Sequence, residues 1–184
     1  MGIKKFQKSR KTTFPRGFTL IELLIVIGIL GILAAALIAT IDPFEQLKKA
    51  NDTSVKNTAV EFVSATARYY TTHSAMPWDT VANGGGGCNS ATVPSSTVLT
   101  NAVMATCLTS LLNDGELKSG FSSATTTLSK IYVTGTASSV VACFLPTSKA
   151  QQRDPNTKYS QSGGAGTSCV SQGGTSLTCY WCSQ

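Results

Sequence analysis

An apolar run of 24 residues, Phe18 to Ile41, constrains this 184-residue chain more than any other feature. A few small or weakly polar residues and one charge, Glu22, interrupt it. A helix rises about 1.5 Å per residue, so a helix of this length spans the roughly 30 Å hydrocarbon core of a bilayer. The run is apolar on every face, which argues against a core helix of a soluble protein. The sequence therefore predicts a membrane-spanning helix.

The charges on either side of the run predict its orientation. Six of the 15 Lys and Arg residues lie within residues 1–17, which contain no acid. The remaining 167 residues carry nine basic and nine acidic side chains. Because Lys and Arg accumulate on the cytoplasmic side of membrane helices, we expect residues 1–17 in the cytoplasm and the C-terminal part across the membrane. A net charge of zero in that part gives no support for direct nucleic-acid binding.

Glu22 distinguishes the segment from a secretory signal peptide and from a plain single-span anchor. A signal peptide has a shorter apolar core, of about 7–15 residues, and would lack an acid near its start. A carboxylate in a membrane segment costs on the order of 2.5–3.5 kcal/mol on insertion scales, so it normally has a partner and a role. A cut before Phe18 would create an α-amine four residues from Glu22. That amine could pair with Glu22 of the same chain or of a neighbouring chain.

Residues 17–27, GFTLIELLIVI, resemble the N-terminal cleavage and methylation motif of type IV prepilins and of type II secretion pseudopilins. The resemblance covers roughly residues 10–45. It implies a prepilin peptidase that cuts between Gly17 and Phe18 on the cytoplasmic side, followed by N-methylation of Phe18. It also implies that Glu22 pairs with the N-terminus of an adjacent subunit during filament assembly.

The same resemblance implies a structural subunit of a type IV pilus-like filament (fimbrium), not an enzyme, with a role in adhesion, motility or DNA uptake. The implied partners are further copies and other pilins, the prepilin peptidase, the inner-membrane assembly machinery and membrane lipid, with no cofactor. The expected location is the cytoplasmic membrane as a single-pass precursor, then a cell-surface pilus or periplasmic pseudopilus. Two alternatives remain open: a type II secretion pseudopilin, and a membrane-anchored exported domain that never polymerises.

The length suits one domain with an appendage, and 42% hydrophobic against 13% charged residues excludes a disordered tail protein. We expect a fold of the α+β class, in which a long N-terminal helix packs on a small antiparallel β-sheet, as in pilins. The predicted parts are a basic leader over residues 1–17, a transmembrane and assembly helix over 18–43, an amphipathic helix over 44–76 and a disulfide-containing head over 77–184.

One helix is expected from Phe18 to about Thr72. Pro43 should kink it near residues 39–43, because proline has no N–H and clashes with the carbonyl four residues back. Beyond the kink, apolar residues recur every three or four positions and define one face, while charged residues such as Asp52 and Lys56 lie mostly elsewhere. The members of the apolar face are Val55, Ala59, Phe62, Thr66 and Tyr69 or Tyr70. His73, the only histidine, is expected in a loop after this helix.

In the head, a second helix is expected from about Thr97 to Asn113, capped by Ser95 or Ser96 and closed by Gly115. Strand-like runs lie at 130–134, 140–145 and 177–182, and the first two are separated by a turn sequence, residues 135–138, that suggests a hairpin. Polar stretches at 79–97, with glycines at 84–87, and at 147–174 predict loops.

All six cysteines follow the apolar run: Cys88, Cys107, Cys143, Cys169, Cys179 and Cys182. An even number on the exported side predicts disulfides. Our hypothesis pairs Cys88 with Cys107 and lets the other four join the C-terminal loop to the sheet. Cys179 and Cys182 have the spacing of a thioredoxin-like redox pair, but only two residues follow, too few for the helix that lowers the pKa of such thiols. A zinc site would need a second CxxC or a nearby His, so a structural role is favoured.

Overall fold

The computed structural model describes residues 17–40, 42–79, 88 and 93–183. Residues 1–16 of the predicted leader (residues 1–17) and the glycines at 84–87 lie outside the described residues. The chain divides into two compact units, Met1–Asp42 and Pro43–Gln184. Within the described residues, an apolar N-terminal helix, a second long helix and an antiparallel five-stranded sheet confirm the α+β class.

The first unit is a single described helix, α1, over Leu20–Thr40. Within it, Leu20–Ile38 is long and apolar enough to cross a membrane, and none of it is buried in its own fold. The large apolar side chains are exposed around the whole helix. An apolar surface of this size needs lipid or other apolar protein around it, because the contact of so much apolar surface with water is unfavourable.

The second long helix, α2, spans Pro43–His73. Asp42 lies outside both helices, so the long helix predicted from Phe18 to about Thr72 is present as two helices, with the break inside the predicted kink region at residues 39–43. The reason is proline geometry: its fixed φ suits the first turn of a helix, and its missing N–H would break a helix interior. Pro43 therefore begins α2, and the kink at Pro43 stays a prediction.

The predicted apolar face of α2 is confirmed. Val55, Ala59, Phe62, Thr66 and Tyr69 are all buried, and Tyr70 packs partly buried beside them. These residues share one core with the inner face of the sheet, formed by Ile131, Val133, Ala142, Phe144 and Trp181. The loop prediction for His73 is wrong, because His73 is the last residue of α2 and its ring stacks on Tyr69 at a centroid distance of 4.0 Å.

The remaining elements of the second unit are short. Its further helices are α3 (Ala102–Asn113), α4 (Thr125–Leu128) and α5 (Lys149–Gln152), with 3₁₀ turns at Phe121–Ser123 and Val170–Gln172. Its strands are β1 (Thr97–Val98), β2 (Ile131–Gly135), β3 (Val140–Phe144), β4 (Thr157–Tyr159) and β5 (Tyr180–Ser183).

The strands lie in the order β1-β2-β3-β5-β4, with every neighbouring pair antiparallel. The predicted hairpin between β2 and β3 is confirmed, with Gly135 opposite Val140. The last strand predicted from the sequence is also present but shorter, over Tyr180–Ser183. Because β5 lies between β3 and β4, the C-terminal strand joins the two halves of the sheet.

The predicted start of the second helix is wrong. Residues Thr97–Val98 form β1 and pair with β2, so the helix begins only at Ala102. Its N-cap is Asn101, whose side chain accepts a hydrogen bond from the N–H of Val103 at 3.0 Å, and not Ser95 or Ser96. Asn caps helices as well as Ser does, so residue type alone did not distinguish Asn101 from Ser95 or Ser96 as the N-cap. Gly115 follows the helix at φ +73°, the left-handed conformation expected of a closing glycine.

The stretch 147–174 is not only loop, since α5 and β4 lie within it.

A carboxylate on α2 explains why α5 forms where it does. Asp52, only 4% exposed, accepts hydrogen bonds from the Thr147 N–H at 3.0 and 3.1 Å and from the Ser148 N–H and hydroxyl, both at 2.7 Å. Glu45, two turns earlier on α2, accepts from the backbone N–H of Lys149. Three successive backbone N–H groups before and at the start of α5 thus bind acids of α2.

We expect Asp52→Asn to destabilise the second unit. The amide retains the shape of the side chain but loses the charge that several buried donors share, and hydrogen bonds to charged groups contribute about 1.5–3 kcal/mol each. Denaturant unfolding of the full chain in detergent, followed by circular dichroism, measures the loss. Glu61→Gln, a change at an exposed acid of the same helix, is the matched control. Equal stability of the two variants would contradict the proposed anchoring of α5 by Asp52.

A second acid in this region predicts a pH dependence. Burial raises the pKa of Asp154, but hydrogen bonds from the Asn156 N–H, Lys56 and Gln151, together with the Lys56 charge at 3.3 Å, bring that pKa below its ordinary value of 3.8. The unfolded chain therefore takes up this proton at a higher pH than the folded chain does. The stabilisation is complete above pH 3.8 and is lost as the pH falls through the folded pKa.

The measurement is the difference in unfolding free energy between the parent and Asp154→Asn across a pH series. We expect a constant difference at neutral pH and a difference that shrinks as the pH falls below about 4, where the unfolded aspartate protonates. A difference independent of pH down to the acid limit would show that the ionised form of Asp154 is not what stabilises the fold.

Candidate functional site

The sequence places the candidate processing site at the start of α1. Gly17 and Phe18 lie just before the helix in non-helical backbone, and the Phe18 side chain is 82% exposed. A Cβ built on Gly17 would meet no atom within 4 Å. Within the described part of the chain, the Cβ position of Gly17 is therefore free of contacts, and the bond between Gly17 and Phe18 lies outside the helix. A peptidase can approach it without first unfolding a helical turn.

Thr19 and Glu22 form a reciprocal cap at the beginning of α1. The Oε2 atom of Glu22 accepts from the Thr19 N–H at 2.9 Å and from the Thr19 hydroxyl at 2.8 Å. The Thr19 hydroxyl in turn accepts from the Glu22 N–H at 3.3 Å. This arrangement is a capping box, which satisfies N–H groups that a helix start leaves without intrahelical partners.

The capping box gives Glu22 a local partner that was not predicted from the sequence. Two donors from Thr19 meet one carboxylate oxygen, so the acid is not without hydrogen bonds inside the apolar segment. A carboxylate offers about four acceptor positions on its two oxygens, which leaves capacity for a further cation. The signal was present in the sequence as Thr-x-x-Glu directly before an apolar helix.

Residues 15–38 match a protein family described as "Prokaryotic N-terminal methylation motif". The chain carries the prepilin-type cleavage and methylation motif. The matched segment contains Gly17, Phe18, the Thr19–Glu22 cap and most of α1. No curated protein and no solved structure matches the chain. The prepilin-type motif fits a membrane-anchored precursor together with α1, the one described helix that is long and apolar enough to cross a membrane.

The cysteines form a second group of candidate site residues, and all six lie among the described residues. The structure joins Cys88 to Cys107, the pair put forward from the sequence, with Cα atoms 4.3 Å apart. The other pairs are Cys143–Cys182 at 4.1 Å and Cys169–Cys179 at 5.7 Å. Every one of these side chains is buried.

The two cysteines of the CxxC sequence belong to different disulfides. Cys179 bonds to Cys169, ten residues earlier, and Cys182 bonds to Cys143 on the neighbouring strand β3. A redox-active CxxC would require a bond between its own two sulfurs and a helix that begins at the first thiol. The observed pairing instead attaches β5 to β3 at one end and to the preceding loop at the other, which is a structural arrangement.

The described residues contain no cluster of three or more His, Cys, Asp or Glu side chains placed to bind a metal ion. His73 is occupied within its own helix, where Nδ1 lies 3.2 Å from the Tyr69 carbonyl oxygen and 2.9 Å from the Thr72 hydroxyl. Its Nε2 lies 3.9 Å from Asp114. These contacts connect the end of α2 to the end of α3.

Proposed function

We propose that this chain is a structural subunit of a type IV pilus-like filament, processed by a prepilin peptidase and polymerised through α1. The observation that carries the proposal is the prepilin-type motif over residues 15–38, placed at the open start of an exposed apolar helix. No catalytic constellation enters this proposal, because the chain acts as the substrate of the processing enzyme and then as a building block.

Cleavage changes the electrostatics of the N-terminus. Hydrolysis of the bond between Gly17 and Phe18 removes residues 1–17 and the six basic side chains that retain them on the cytoplasmic side. It leaves one α-amine, on Phe18, which is then methylated on nitrogen. The mature chain therefore loses the strongly basic anchor and gains a single cation next to Thr19, so that α1 is free to leave the bilayer for a filament.

Assembly buries the apolar side chains of α1 against the same helix of other subunits. In such a bundle the dielectric is low, and an unpaired carboxylate at Glu22 would be strongly penalised. The α-amine of an adjacent subunit supplies the missing cation, while Thr19 continues to occupy Oε2. A subunit therefore enters only in the register where its acid meets a neighbour's amine.

The first test is mass spectrometry of protein sheared from the cell surface, both intact and after proteolysis. We expect a chain that begins at Phe18 and carries one methyl group on its amine. Gly17→Val should leave the precursor uncut, because a β-branched side chain obstructs the scissile backbone, whereas Gly28→Val, inside α1, should still be cut. An uncut parent chain found only in membranes would contradict the proposal and would indicate an anchored, non-polymerising exported domain.

The second test concerns the pairing of Glu22. Removing one partner of a buried charge pair costs on the order of 3–5 kcal/mol, which is a hundredfold or more in subunit affinity. Glu22→Ala should therefore abolish nearly all surface filaments while the variant still accumulates in the membrane. Glu61→Gln, at an exposed acid of α2, should leave filament yield unchanged. Normal filaments from Glu22→Ala would remove Glu22 from the assembly mechanism.

A further inference from the structure

Two of the disulfides are nested along the chain. Cys143–Cys182 spans 39 residues and encloses Cys169–Cys179, which spans 10. From this nesting we propose that the head reaches its disulfide pattern only with a protein thiol–disulfide isomerase on the outer side of the membrane. The inference rests on the proposed function only in requiring that residues 43–184 lie on the outer side of the membrane, and it does not depend on polymerisation.

Export presents the cysteines in chain order, because residues 1–17 stay in the cytoplasm and the rest follow. Cys143 emerges first among the four C-terminal cysteines, and Cys169 is the next thiol, 26 residues later. An oxidant that joins thiols as they appear would bond Cys143 to Cys169. Cys179 and Cys182, three residues apart, would then bond to each other. Neither of these bonds occurs in the structure.

The sheet does not protect Cys143 from the wrong partner during export. In the completed fold Cys143 lies between Tyr132 on β2 and Cys182 on β5. The hairpin of β2 and β3 can form from residues already exported, but β5 consists of residues 180–183. Until β5 arrives, the edge of β3 that carries Cys143 has no neighbouring strand. Its thiol is therefore accessible at the time when Cys169 is the nearest thiol in sequence.

The mispaired chain would be trapped although the native pairing is more favourable. Insertion of β5 buries Trp181 against Phe144, at a ring centroid distance of 5.6 Å, and completes the core. A bond between Cys179 and Cys182 removes the sulfur that Cys143 needs. Disulfide exchange starts with attack by a thiolate, and a fully oxidised chain has none. An external thiolate is therefore required.

The exchange is balanced and involves no net oxidation. The isomerase thiolate attacks the sulfur of Cys182, forms a mixed disulfide and releases the Cys179 thiolate. Cys179 then attacks Cys169, which completes Cys169–Cys179 and releases the Cys143 thiolate. Finally Cys143 attacks Cys182 in the mixed disulfide, which completes Cys143–Cys182 and returns the isomerase thiolate.

Cys88–Cys107 provides an internal contrast. Its two cysteines are consecutive along the chain and separated by 19 residues, so an oxidant acting in order of emergence forms the bond seen in the structure. The proposed need for an isomerase therefore applies to the four C-terminal cysteines alone.

The experiment expresses the full chain in two bacterial hosts, one with and one without its periplasmic disulfide isomerase, both with an intact oxidant. Free thiols are alkylated at harvest, and non-reduced peptides are mapped after digestion with chymotrypsin, which cuts after Leu177 and Tyr180 and so separates the last three cysteines. We expect the Cys143–Cys182 peptide to fall severalfold in the host without isomerase, with matching gains of Cys143–Cys169 and Cys179–Cys182. Adding a purified isomerase in reduced form to protein from that host should restore the native pair.

Two double variants sharpen the comparison. In Cys169→Ser with Cys179→Ser, Cys143 has only Cys182 left among the C-terminal cysteines, so the yield of that bond should become equal in the two hosts. In Cys88→Ser with Cys107→Ser, the difference between the hosts should persist. The readout is a disulfide peptide, so it remains informative even for a variant that folds poorly.

The outcomes separate the inference from the proposed function. An exported parent chain with native pairing in both hosts would overturn the need for an isomerase and leave the filament proposal intact. Six alkylated thiols in a chain protected from external protease would overturn export itself, and the inference with it.

Discussion

The buried face of α2 is the surface on which the rest of the second unit is built. Phe62 and Tyr69 lie in one core with the inner face of the sheet. Asp52, also on that face, binds the residues before α5 through its carboxylate. One side of α2 is exposed, and the other side is covered by the sheet and by α5. The covered side therefore needs apolar side chains where it meets the sheet and acidic side chains where it meets the residues at the start of α5. The positions of the sheet and of α5 therefore follow from the side chains of one helix.

The opposite situation holds in α1, where no face is covered. Near its start this apolar surface carries one carboxylate, Glu22, which is unfavourable in apolar surroundings. In the Thr19–Glu22 cap, the hydrogen bonds from Thr19 satisfy part of the hydrogen-bonding capacity of that carboxylate within the same chain. The cap also defines the first helical residue and leaves the Gly17–Phe18 bond in open backbone. The helix cap and the position of the Gly17–Phe18 bond outside the helix are thus consequences of the same short sequence. The remaining acceptor capacity of Glu22 is what a neighbouring amine would use.

The cysteines connect the C-terminal strand to the fold. β5 lies between β3 and β4, so β4 has its place in the sheet only through β5. Cys182 attaches β5 to β3, and Cys179 attaches the residue before β5 to the preceding loop. A strand of four residues contributes few backbone hydrogen bonds, so covalent attachment at both ends compensates for its length. Strand β5 thus joins β4 to the rest of the sheet, and its covalent attachment depends on sulfur chemistry as well as on packing.

Features that depend on residues close together in the chain could be predicted from the amino-acid sequence. These are the apolar helix that is long enough to span a membrane, the prepilin-type motif, the apolar face from Val55 to Tyr69 and the β2–β3 hairpin, because each is a periodicity or a short pattern. The sequence also indicated that the CxxC cysteines are structural. Predictions from local patterns were wrong or incomplete for elements whose position depends on a partner far away in the sequence. Strand β1 forms because it pairs with the edge of β2. Helix α5 forms where Asp52 binds residues 95 and 96 positions later, and β5 is central because it pairs with both β3 and β4. Long-range pairings of this kind leave no periodic pattern in a single sequence, so they can be identified only in the folded structure.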